Sequence, residues 1–136
     1  MQIVDAQIHL WGTGLPSNPS HWQVTSFTPA QAVKLMDEGG VHAAVIHPPS
    51  WDPGSIEMAM AAVQDYPGRF AIMGSIDFDD PEAKHKIADW RNQPGMLGLR
   101  YTFLHGTGPT EVGEWQLGLA VGGGGRGWCA NLGTGN

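Results

Sequence analysis

The sequence predicts an α/β protein with a parallel sheet, built from about four β/α units and followed by an irregular glycine-rich tail. Three observations carry that prediction. Apolar runs of strand length alternate with helix-length segments of 3.6-residue period. The apolar runs lack the strict alternation of a half-solvated sheet, as expected when both faces are covered. A helix also separates each pair of runs, which is the connection parallel neighbours need to bring the chain back to the same end of the sheet.

The first strand is expected from Gln2 to Trp11, a stretch rich in Ile, Val and Leu. Residues 12–27 hold too many turn formers for a regular element. The segment "TPAQAVKLMDEGG" then has a full set of helix signals: Thr28 as N-cap, Pro29 in the first turn, Gln31 to close a capping box, and Gly39-Gly40 as the stop. Its apolar stripe is Ala32, Leu35 and Met36. The second strand, "VHAAVIH", stops at Pro48-Pro49, because proline cannot donate to the next ladder bond.

A helix from Ser55 to Tyr66 sets Ile56, Ala59, Met60 and Val63 on one face and ends before Pro67-Gly68. "FAIMGSID" reads as the third strand, Asp80-Pro81 as the start of a third helix with Ala83, Ile87 and Trp90 facing inward, and "MLGLRYTF" as the fourth strand. Two architectures fit this order, an open doubly wound sheet or part of a closed (β/α)8 barrel. A dinucleotide-binding sheet wants a glycine-rich turn opening a helix directly after the first strand, whereas "HLWGTGLPSNP" runs into a proline-containing loop.

The domain is expected to span residues 1–105, with 106–136 as a tail that does not fold. That tail holds 11 of the 20 glycines, too many to order against the little apolar surface it offers. Such an abrupt change suggests that the domain's own continuation is interrupted near His105. Strands one and four then have no neighbours on their outer sides, so association of copies through open strand edges is expected.

Composition narrows the function classes. A formal net charge of -6 gives no electrostatic claim on nucleic acid. No apolar run approaches the ~20 residues that span a bilayer, and no basic leader precedes an apolar stretch, so a cytoplasmic protein is expected. Cys129 is the sole cysteine and has no partner for a disulfide or a CxxC site.

In a parallel α/β fold, sites gather at the carboxyl ends of the strands. Those ends offer His9, His47, Asp77 and Arg100. Arg100 suits a substrate carboxylate, which a guanidinium can hold through two hydrogen bonds, or alternatively pairs with Asp77. His47 is read as a substrate-orienting or proton-transferring group, with a hydrogen-bonded core histidine as the alternative. Trp11 and Trp51 are candidates for the pocket wall or for interior packing. His21, His42, His85 and His105 have no spacing that recommends them. Asp5, Gln7 and His9 alternate, so they share one face of the first strand.

"IVDAQIHLW" resembles the first strand of the amidohydrolase-related family of the metal-dependent hydrolase superfamily, with its Asp-x-His-x-His motif followed by an aromatic residue. "GVHAAVIHPPSWDP", "YPGRFAIMGSID" and "PGMLGLRYTF" are similar to that family's second, third and fourth strands in order, so the resemblance runs from Gln2 to about Leu104. It implies the N-terminal half of a (β/α)8 (TIM) barrel. It also implies hydrolysis of a small carboxylated lactone, ester or amide by an activated water, with decarboxylation on the same scaffold as an alternative. A rival from another class is a non-catalytic half-barrel that binds a small anion or dimerises. By the same resemblance His9 and Gln7 occupy the places of two metal-ligating histidines. A divalent metal such as zinc is therefore implied, but Gln7 offers only a neutral amide oxygen, a poor zinc ligand.

Overall fold

Every expected strand forms, though each is shorter than its apolar run: β1 (Val4–Ile8), β2 (Ala43–Ile46), β3 (Phe70–Gly74) and β4 (Met96–Leu99). Between them lie α1 (Pro29–Gly39), α2 (Ser55–Asp65) and α3 (Ala83–Ala88), the last followed by a turn of 3-10 helix at Trp90–Asn92. The computed structural model of the chain describes residues 1–16, 18–77 and 80–100. The glycine-rich segment, its boundary near His105 and the far end of the expected fourth strand lie outside the described residues.

The strands are all parallel and ordered β1-β2-β3-β4, with Val4 beside Ala43, Ala44 beside Phe70 and Ile72 beside Met96. That order settles the architecture. A doubly wound sheet reverses direction beside its first strand, whereas here each new strand is added on the same side. The fold is a four-stranded α/β sheet consistent with part of a (β/α)8 barrel.

Local chemistry explains the element ends. Thr28 and Gln31 form the capping box, with the Thr28 hydroxyl accepting from the Gln31 N–H and the Gln31 side chain accepting from the Thr28 N–H. Gly40 ends α1 at φ 68°, a left-handed conformation that a Cβ would strain. Ala32 and Met36 of α1, and Ala59 and Ala62 of α2, pack on a sheet whose Ile46 and Ile72 are fully buried. The alanines let the helix backbones approach the sheet closely.

Five expectations need correction. The first strand does not reach Trp11. Register shifts between Asp5 and Ile8, and Trp11 pairs instead with Phe27 in an antiparallel bridge. Coverage of both sheet faces fails at β1, where every residue but Ile8 is exposed, Val4 at 55%. Leu35 is exposed: it lies ~100° round the helix from Met36, off the buried face. Asp80 does not cap α3. Its carboxylate accepts from the Glu82 N–H in the preceding turn, and Glu82 takes the N-cap position. Trp90, expected in that helix, lies beyond it in the 3-10 turn.

Candidate functional site

β1 and β2 end side by side, and their last residues interlock. The His47 N–H donates to the Ile8 carbonyl at 2.8 Å. The His47 Nε2 lies 3.3 Å from the Ala6 carbonyl and the His9 Nδ1 lies 2.7 Å from the His47 carbonyl. A carbonyl only accepts, so both ring nitrogens must donate. His9 therefore carries its proton on Nδ1 and leaves Nε2 as a lone pair, while His47 leaves Nδ1 bare. That Nδ1 is buried and has no hydrogen-bond partner among the described residues. Burial holds the His47 pKa below the usual imidazole range; the Ala6 bond opposes this, and the charges of Arg100 and His9 lower it further.

Gln7 and His9 line one cavity of about 320 Å³ at this end of the sheet. Its walls are aromatic. Trp51 meets His9 edge-on at 5.6 Å between ring centroids and Trp11 at 5.8 Å, and Trp11 in turn packs on Phe27. Trp11 and Trp51 both line the cavity, Trp11 buried and Trp51 half-buried. His21, which its spacing did not recommend, comes off the β1–α1 loop to lie 6.0 Å from the His9 ring.

The loop that carries Trp11 onward is pinned by Asp52. This buried carboxylate accepts from the N–H of Gly12 at 2.6 Å and of Gly54 at 3.0 Å, and from the Thr13 hydroxyl at 3.3 Å. Those bonds, from Gly12 and Gly54 above all, hold its pKa below the usual carboxylate range despite burial. No sequence signal marked Asp52, since an Asp before Pro-Gly reads as a turn former.

Asp77 and Arg100 sit differently. Arg100 directly follows β4, is exposed, and donates its N–H to the Gly74 carbonyl at 2.7 Å. Its charge reaches His47. Asp77 lies exposed three residues beyond β3. It joins Glu82 in the field around Lys86, whose pKa is raised chiefly by its hydrogen bond and ion pair with Asp80.

Among the described residues, no group of three or more His, Cys, Asp or Glu side chains is placed to hold a metal ion. His9 and Gln7 would supply one imidazole and one amide, which does not fit a zinc site of three or four protein ligands. Also among the described residues, no helix is long and apolar enough to cross a membrane.

A parallel barrel-type sheet with an aromatic cavity at its carboxyl end is the class that fold and site define. No protein-family model matches the sequence. No curated protein matches it either. Among solved structures the chain is similar to a probable 2-pyrone-4,6-dicarboxylic acid hydrolase from Acinetobacter baumannii, solved with citric acid bound, at 18% identity and a TM-score of 0.56. The match covers 74% of this chain and 38% of that one, so the chain spans well under half of its neighbour's length. At that identity the likeness establishes the fold.

Proposed function

We propose that this chain is the N-terminal half of an amidohydrolase-type barrel hydrolase acting on a small carboxylated lactone, ester or amide. The observation that carries the reading is the cavity at the end of β1, where Gln7 and the lone pair of His9 meet an aromatic wall. The barrel-like neighbour, a probable hydrolase of a pyrone dicarboxylate, supports it. In the whole barrel, His9 Nε2 takes a proton from the attacking water or bonds the substrate oxygen, and Gln7 offers an amide N–H to a carbonyl. Arg100 holds the substrate carboxylate from the β4 end. His47 fixes His9 through its backbone carbonyl, and Asp77 beyond the end of β3 is a further polar group offered to the substrate.

Hydrolysis by this chain alone is not expected, since four strands are half a barrel. Binding is the direct test. By calorimetry, 2-pyrone-4,6-dicarboxylate should bind at least ~10-fold more tightly than its dimethyl ester, and Arg100→Ala should remove that preference. Equal affinity for acid and ester would overturn the reading.

A second reading has its own support. Val4 and Leu97, on the two outer strands, are 55% and 51% exposed, which favours a half-barrel that pairs with another copy through its open edges. Sedimentation at tens of micromolar distinguishes the two: a monomer removes this second reading.

A further inference from the structure

We infer that His21 is a ligand-contacting, specificity-determining residue of the cavity, and that Gln23 is the positioning residue that holds it there. The inference rests on the cavity being a ligand site, as proposed above. It concerns a residue on an irregular loop, outside the strand-end positions where a barrel normally places its chemistry.

Two imidazoles border the same space. The rings of His9 and His21 are 6.0 Å apart and tilted by only 31°, and both line the cavity. That separation is too small for a flat ring to enter between them, which needs ~3.5 Å on each side. It does allow one ligand oxygen at the rings' edges to bond both. His9 has committed Nδ1 to the His47 carbonyl, so it reaches the ligand with Nε2 alone. The His21 ring makes no hydrogen bond among the described residues and is exposed, so either nitrogen can serve.

Several bonds set the placement of His21. The Gln23 side-chain amide donates to the carbonyls of Asn18 and His21, each at 3.0 Å, and more weakly to Pro16 at 3.5 Å. The loop's ends are tied as well. Trp11 and Phe27 exchange two backbone hydrogen bonds, at 3.1 and 2.8 Å, and the Trp11 indole donates to the Val24 carbonyl at 3.0 Å. Asn18 and His21 are thus held by one amide acting as a hub, and Val24 by the Trp11 indole. The backbone that presents the imidazole is pre-organised beside the cavity before any ligand arrives. A loop of this kind sets which ligands are accepted, while the strands supply the common frame.

The test uses isophthalate, a planar dicarboxylate with no bond to hydrolyse, followed by NMR of the imidazole nitrogens in the full chain. Both His9 and His21 ring signals should move on saturation. His21→Ala should weaken binding about tenfold. Gln23→Glu keeps the size but loses both donors, and should weaken binding several-fold without contacting the ligand. His85→Ala, on the far helix α3, should bind as wild type. If His9 signals move while His21 signals stay fixed, or if His21→Ala binds as well as wild type, this inference falls and the proposed function stands. If isophthalate moves neither ring in the wild-type chain, both fall.

Discussion

The Nδ1 of His9 lies 2.7 Å from the carbonyl oxygen of His47, and this one bond decides which nitrogen of His9 is available for chemistry. The bond acceptor is a backbone atom, so it persists whatever side chain stands at position 47. Neutral His9 is therefore expected as the Nδ1–H tautomer, read from the nitrogen shifts of its ring. Nitrogen shifts typical of an Nε2–H ring would contradict the arrangement.

Acid should destabilise the fold in two stages. An imidazole in the unfolded chain titrates near about 6.5, and burial keeps the folded His47 below that. The contribution of neutral His47 is thus complete above about 6.5 and is lost as pH falls through its folded value. Asp52 behaves alike in a lower window: its stabilisation is complete above about 3.9 and is lost as pH falls through its depressed folded value. Denaturant midpoints measured from pH 8 to pH 3 should decline below about 6.5 and again below about 4. His47→Gln should flatten the first decline and leave the second; an unaltered first decline would rule out His47 as its source.

Asp52→Asn replaces one accepting oxygen by a donor, which then faces either the Gly12 N–H or the Gly54 N–H, because these bond different oxygens of the carboxylate. Thermal denaturation at pH 7 should show a lower midpoint. Limited proteolysis should cut the loop of residues 12–24 sooner than in wild type, and unchanged cutting would show that Asp52 does not pin it.

Gly74 is fixed by packing. A Cβ there would lie 2.5 Å from Trp90 Cζ2, while the Trp90 indole is itself tied to the Gly98 carbonyl at 3.0 Å. Overpacking of this kind costs about 1–3 kcal/mol, so Gly74→Ala should lower stability by that amount in urea denaturation. A loss under 0.5 kcal/mol, well below that range, would mean the indole moves aside freely.

Elemental analysis after dialysis should find well under one zinc per chain. Gln7→His should change this little, because two imidazoles still leave most of the ion to water. One tightly held zinc in the wild-type chain would overturn the account of Gln7 as the position that weakens metal binding.

Much of the fold was legible because short-range chemistry writes it. The box of Thr28 and Gln31, the stop at Gly40 and the breaks at Pro48 and Pro67 all act within a few residues, so α1, β2 and α2 fall where their sequences place them. The start of the short α3 was misjudged, because Asp80 had two local uses and the sequence does not choose between them, and its end was misjudged because the chain tightens into a 3-10 turn at Trp90. Of the candidate site, Gln7, His9 and His47 were marked by period and by position at strand ends. His21 and Asp52 were not, since their roles depend on residues 12 and 40 positions away, respectively His9 and Gly12.

By itself the sequence determined the order of elements, the parallel sheet and the amide at position 7, because periodicity, capping and residue identity are properties of neighbours along the chain. Only the tertiary structure decided the proton positions on His9 and His47, the aromatic wall and the approach of His21. These depend on which carbonyl or ring lies opposite once β1, β2 and the loop between β1 and α1 meet. Such distances are set by strand register and by the loop's own hydrogen bonds, and a linear pattern does not encode them residue by residue.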